Sequence, residues 1–183
     1  MTVEILRLEP PAQGDARSLS QRQTHAGRLL LANMVKRLYG REDAAVTYGP
    51  NGKPLLDFCF FSISHSGDLV ACAVSERPIG LDIERCNPIK PRKHYPLFSP
   101  NECRYINTAS DPSLAFYAIW TGKEAYIKAL GGRLQDMAAF ELTSGNFLSE
   151  NLGGFSFVRR MENGVFLTVA HQEEASPFLP LIP

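Results

Sequence analysis

Neither sign of charge predominates in this 183-residue sequence: 19 Lys and Arg balance 19 Asp and Glu. A formal net charge of zero argues against a whole-surface grip on nucleic acid or an anionic membrane, leaving only local patches. Apolar runs are short, far below the roughly 20 residues a membrane span needs. The stretch from Met1 to Ser18 holds no basic segment followed by an apolar core. No secretory signal is therefore expected, and the cytoplasm is the expected compartment. Cysteine is scarce: Cys59, Cys72, Cys86 and Cys103 are widely spaced, with no CxxC pair. That spacing argues against zinc, and the expected compartment against disulfides. Glycine (14) and proline (13) are too few for a low-complexity chain. What remains, 44% apolar and 21% charged, is the composition of a globular protein with a real core.

Residues 3–8 alternate like a half-buried strand. Residues 20–39 read as a helix, with Ala26, Leu29, Leu30, Met34 and Leu38 at helical spacing and Gly40 as its stop. A turn cluster covers 48–54. Strands are expected at 58–64 and 69–75, joined through His65-Ser66-Gly67-Asp68, and at 79–84. Three prolines prevent one regular element over 85–98. Ser99-Pro100-Asn101-Glu102 fits a capping box that starts a short helix. Asp111-Pro112 starts a longer one to about Leu130, stopped by Gly131-Gly132. Strands are expected at 138–142, 155–159 and 164–170. The order strand, helix, strands thus occurs twice. It suits either an α+β fold of two similar halves, 1–76 and 77–183, or one α+β domain without internal symmetry.

Four groups of residues could do chemistry. In Gly80-Leu81-Asp82-Ile83-Glu84, the two acids share one strand face with Cα atoms about 6.5–7 Å apart. They could hold one hard cation such as Mg²⁺, or be solvated acids at a strand end. On the long helix, Phe116, Ile119, Trp120, Ile127 and Leu130 share an arc, with Glu124 at its edge and Lys128 beside it. Glu124 and Lys128 could be a surface i,i+4 pair, or Glu124 a metal ligand or general base. Lys123 falls inside the apolar arc. Lys53, in the turn Asn51-Gly52-Lys53-Pro54, could reach a phosphate. Ser64 and His65, in Ser62-Ile63-Ser64-His65-Ser66, could meet a nucleotide, or form a polar loop. Arg22, His25 and Arg28 form a basic stripe on the first helix, which is equally the pattern of a solvated face.

In this order the motifs resemble the phosphopantetheinyl transferase family, in its larger, pseudodimeric, surfactin-synthetase-activating form. The likeness runs from about residue 20 to 142 and more faintly to 170. The interval from Asp82 to Glu124 fits the one usual in that family. The resemblance implies two similar α/β halves in pseudo-twofold duplication, each a small antiparallel sheet packed with a long helix, and a coenzyme A site at their junction. It implies transfer of the phosphopantetheine arm of coenzyme A to a serine of an apo acyl or peptidyl carrier protein, with adenosine 3′,5′-bisphosphate as by-product. Asp82, Glu84 and Glu124 would hold Mg²⁺. Arg28, Lys53, Ser64 and His65 would hold the nucleotide end. Lys128 would contact a phosphate, and Lys123 would contact a phosphate or support the site. Glu124 would take the serine proton, with Glu102 as the alternative base. The alternative to an enzyme is a coenzyme A-binding module without turnover. A monomer is expected, with a carrier protein rather than nucleic acid or membrane as partner. The basic stretch Arg85, Lys90, Arg92, Lys93 and His94 is either a carrier-docking loop or a solvated basic loop. The chain is shorter than many of this type, and only Arg17 and Arg22 are candidates for the extra basic residues that some members carry ahead of the first helix.

Overall fold

A computed structural model of the chain describes residues 1–11 and 13–173. Strand β1 (Thr2–Arg7) leads to helix α1 (Leu19–Tyr39). Ser18 caps α1 with Gln21 in a reciprocal capping box, and Gly40 ends it in the left-handed conformation (φ 67°) that glycine adopts without strain. The turn region is a small hairpin, β2 (Thr47–Tyr48) and β3 (Pro54–Leu55). β4 (Phe60–Ser66) and β5 (Leu69–Ser75) form the next hairpin. His65 and Ser66 thus belong to a strand, correcting the expected four-residue connection. β5 pairs with β1 on its other side, giving the sheet order β1-β5-β4.

β6 (Ile79–Arg85) opens a second sheet. Its proline-rich continuation contains a 3₁₀ helix, Pro91–Leu97. Helices α2 (Pro100–Thr108) and α3 (Pro112–Leu130) start at Ser99 and Asp111, each accepting a backbone N–H from the third residue onward. The strand expected at 138–142 is not formed. A 3₁₀ helix, Leu134–Ala139, precedes β7 (Thr143–Ser144), because the apolar alternation there is too short to compete with the turn after Gly131. β7 pairs with β8 (Phe147–Leu148), and β9 (Asn151–Leu152) leads into β10 (Phe155–Glu162) and β11 (Val165–Gln172). Asn163 and Gly164, both at positive φ, make the β10–β11 turn. The second sheet has the order β6-β11-β10-β9.

Helix α1 lays Leu30, Leu31, Met34 and Val35 on the first sheet, against Phe61, Cys72 and Val74. Fully burying such side chains contributes about 1.5–3 kcal/mol each. Leu29 and Leu38, expected in this core, are 51% and 42% exposed. Helix α3 lies on β6 and β11. At Gly80 the contact is backbone to backbone: a Cβ there would come within 1.8 Å of the Ala125 carbonyl oxygen. Leu130, expected on the apolar arc, is 57% exposed because the helix has run past the sheet. All four cysteines are free, and burial pushes the Cys72 thiol up to about 12. Among the described residues, no helix is long and apolar enough to cross a membrane.

The two sheets meet along β4 and β6. The backbone ladders end at these two edges, and serine side chains join them. The Ser62, Ser64 and Ser66 hydroxyls accept the backbone N–H groups of Leu81, Ile83 and Arg85 at 2.9, 3.3 and 3.0 Å. Both sets of residues advance together, so β4 and β6 run parallel, with every second β4 residue turned toward β6.

Candidate active site

The seam gathers the acidic motif and the second half of α3. Asp82 is buried rather than solvated at a strand end. Its Oδ1 accepts from Ser64 Oγ at 2.7 Å and from Lys128 Nζ at 2.6 Å. Glu84 Oε2 accepts from Ser66 Oγ at 2.6 Å. Lys128 Nζ also lies 3.6 Å from Glu124 Oε2 and donates to Ser64 Oγ at 3.1 Å. Glu124 and Lys128 therefore turn toward β6 and are only partly exposed, at 22% and 30% of their side chains. They are not a solvated surface pair.

Burial raises the Glu124 carboxyl above its ordinary range. Lys128 opposes that shift, while Asp82 and Glu84 add to it. Burial raises Glu84 as well, against the hydrogen bonds of Ser66 and Trp120 and with the help of Asp82. Burial alone would lower the Lys128 ammonium, but Asp82 and Glu124 outweigh it and its net direction is up. Three acids under mutual repulsion thus share one lysine.

No group of three or more His, Cys, Asp or Glu side chains among the described residues is already closed around a metal-binding point. The donor set nonetheless suits a hard divalent cation. Asp82 Oδ2 is buried without a hydrogen-bond partner, an orphaned anionic oxygen that a cation would satisfy. Asp82, Glu84 and Glu124 are the residues that would hold it.

Beside this cluster lie two adjoining cavities that share Pro54, Phe61 and Ile63 in their walls. The smaller, about 280 Å³, is lined by Lys53, Lys128, Gly131 and Gly132. The larger, about 580 Å³, is apolar at its base and lined by Arg28 and His65. Arg28 thus faces a cavity rather than a plain solvated surface. Arg41 lines the same cavity with its guanidinium 4.2 Å from the Phe58 ring centroid, and sequence reasoning passed over it. The available signal was a basic residue directly after the Gly40 helix stop. Lys53 spends one donor on the Ala129 carbonyl at 2.7 Å, which ties the β2–β3 turn to the end of α3.

Three sequence-predicted residues have other placements. Lys123 and Glu102 form an ion pair at 2.7 Å with both side chains fully buried. Lys123 also donates to the carbonyls of Leu97, Met137 and Phe140, while Glu102 accepts from the backbone N–H groups of Ser99 and Leu142. The pair fastens α2, α3 and the 3₁₀ segments together, so the structure brings neither residue to the acidic cluster to serve as base or phosphate contact. The Ser64 hydroxyl donates to Asp82 and accepts from Ile83 N–H and Lys128. Its one donor and two lone pairs are all engaged within the protein. Within the expected docking loop, Arg85 donates to Asp68 and His94 packs 5.1 Å from both the Phe116 and Trp120 ring centroids. Lys90, Arg92 and Lys93 remain exposed.

Parallel β4–β6 edges, buried acids and a lysine on the crossing helix define a class that comparison with known proteins identifies. Residues 78–173 match the family described as the 4′-phosphopantetheinyl transferase superfamily, and the chain belongs to it. It is 36% identical over 110 residues to the 4′-phosphopantetheinyl transferase gsp of Aneurinibacillus migulanus, covering 57% of this chain and 46% of that protein. It is 35% identical over 118 residues to a 4′-phosphopantetheinyl transferase of Bacillus subtilis, covering 60% and 52%. It is 34% identical over 136 residues to the 4′-phosphopantetheinyl transferase AcpT of Salmonella typhi, covering 68% and 66%. The chain spans about half the length of the first two of these relatives.

Proposed function

We propose that this chain transfers the phosphopantetheine arm of coenzyme A to a serine hydroxyl of an apo carrier protein, with Mg²⁺ held by Asp82, Glu84 and Glu124. The observation that carries the reading is the cluster of Asp82, Glu84 and Glu124 around Lys128, which itself lines the cavity shared with Lys53, next to the cavity lined by Arg28 and His65. Its membership of the superfamily supports the same reading.

Arg28 and Lys53 hold the anionic nucleotide end by charge, and His65 bonds it through its ring nitrogens. Lys128, which also bonds Asp82, turns its remaining donor capacity to a phosphate oxygen. Glu124 accepts the proton of the incoming serine. The serine Oγ–P bond forms on the phosphorus that carries pantetheine, the pyrophosphate P–O bond breaks, and adenosine 3′,5′-bisphosphate leaves. A divalent cation bound at the acids would stabilise negative charge on the pyrophosphate.

The two halves, 1–76 and 77–183, are in this reading two versions of one plan. The orders β1-β5-β4 and β6-β11-β10 support it, since each sheet places its first strand against its last and carries one long helix in the connection. The site draws on both halves of a single chain, which supports action as a monomer.

The test is chromatography of the small-molecule products. Release of adenosine 3′,5′-bisphosphate from coenzyme A and Mg²⁺ should depend on adding an apo carrier protein. Coenzyme A binding without release, on several carriers, would instead favour a binding module without turnover.

A further inference from the structure

The seam between β4 and β6 does more than join two sheets. A carboxylate only accepts hydrogen bonds, so in the contacts with Asp82 and Glu84 the serine hydroxyl must be the donor. In the contacts with Ile83 and Arg85 the backbone N–H donates, so the serine oxygen must accept. Each hydroxyl is thereby fixed in both roles at once. Its oxygen is pinned by the backbone of β6, and its proton is left to point at the side chain one residue earlier on that strand. Ser64 does this at Asp82 and Ser66 at Glu84, at 2.7 and 2.6 Å. Ser62 makes the same backbone bond to Leu81, but the residue one earlier is Gly80, which has no side chain to hold.

We propose that Ser64 and Ser66 are positioning residues, which use the β6 backbone as a template to set where the Asp82 and Glu84 carboxylates can meet a divalent cation. The proposal rests on the metal-dependent reading above. It assigns Ser66 a role that the motif alone does not suggest, and it turns Ser64 from a ligand contact into a support for Asp82.

Ser62 provides an internal control, because it carries the seam bond without the carboxylate bond. The measurement is a Mn²⁺ titration of the full chain by electron paramagnetic resonance, with coenzyme A present, alongside urea denaturation. Ser66→Ala should weaken Mn²⁺ binding about tenfold, as loss of an outer-shell partner does. Ser66→Thr, which keeps the hydroxyl, should restore it. Ser64→Ala, a second variant should Ser66→Ala fold poorly, should weaken binding to a similar degree. Ser62→Ala should lower the denaturation midpoint as the other alanine variants do, yet leave Mn²⁺ affinity unchanged. Equal affinities in Ser66→Ala and Ser62→Ala, with Mn²⁺ still bound by the wild-type chain, would overturn this proposal alone. No Mn²⁺ binding by the wild-type chain would overturn the metal reading and this proposal with it.

Discussion

Glu124 and Glu84 have carboxyls that burial raises above the ordinary range. A carboxyl raised on folding contributes stability while protonated, and that contribution is lost as pH rises through the raised value. Without divalent cations, stability should therefore fall as pH climbs above the usual glutamate range, and less so in Glu124→Gln. Mg²⁺ should restore stability, more at higher pH, since the ligands bind it deprotonated. Thermal melts across pH, with and without Mg²⁺, check this; an equal Mg²⁺ gain in Glu124→Gln would contradict it. The same variant should lower kcat about 10²-fold or more, the usual loss for a proton acceptor. Lys123 poses a different question. Removing one partner of a fully buried pair costs about 3–5 kcal/mol, so Lys123→Met should lower the unfolding free energy from urea denaturation by that amount. Adding Glu102→Gln removes the stranded charge and should recover part of the loss.

Among the elements, α3 matters most for the site, because it carries Glu124 and Lys128 across β6. Its height is set at Gly80, where a Cβ would collide with the helix backbone at Ala125 and Ala129. Gly80→Ala should destabilise the fold by about 3 kcal/mol, and the partly active remainder should bind Mn²⁺ weakly, because α3 must lift. Local signals were enough to find this helix. Asp111-Pro112 starts it, Gly131 stops it, and Lys123 stands out as a charge inside its apolar arc. They were also enough to pair Asp82 with Glu84 and to find the β4–β5 hairpin. What stayed hidden depends on contacts distant in sequence. The burial partner of Lys123 is Glu102, on a different helix, and each seam serine lies 19 residues from its backbone partner. The period-two spacing of Ser62, Ser64 and Ser66 was visible, but nothing local says that the strand extends past Ser64 to meet a second edge. Leu38 and Leu130 carry the right period, yet lie at the ends of their helices, while Leu29 sits mid-helix beside the face buried through Ala26, Gly27, Leu30 and Leu31.

If the segment around the 3₁₀ helix Pro91–Leu97 docks the carrier in the proposed reaction, its exposed cations are Lys90, Arg92 and Lys93. Charge reversal at Arg92 and Lys93 should raise KM for an acidic carrier several-fold and leave KM for coenzyme A unchanged. Equal rises in both would remove the docking role.

At the scale of the whole molecule, two sheets meet edge to edge, Asp82 and Glu84 sit on the edge strand β6 where they meet, and α3 brings Glu124 to them. The first sheet supplies the serines and His65, its helix supplies Arg28, and the second sheet and α3 supply the acids and Lys128. Neither sheet with its own helix holds all of these residues, so a seam that loosens should cost activity before it costs secondary structure. The central claim, transfer of phosphopantetheine by this acid cluster, is tested most directly by intact-protein mass spectrometry of an apo carrier protein incubated with the chain, coenzyme A and Mg²⁺. The carrier should gain one phosphopantetheine mass, a gain absent with EDTA and about 10²-fold slower or more with Glu124→Gln. An unmodified carrier under the full conditions, or a gain that persists with EDTA and is no slower in Glu124→Gln, would contradict that claim.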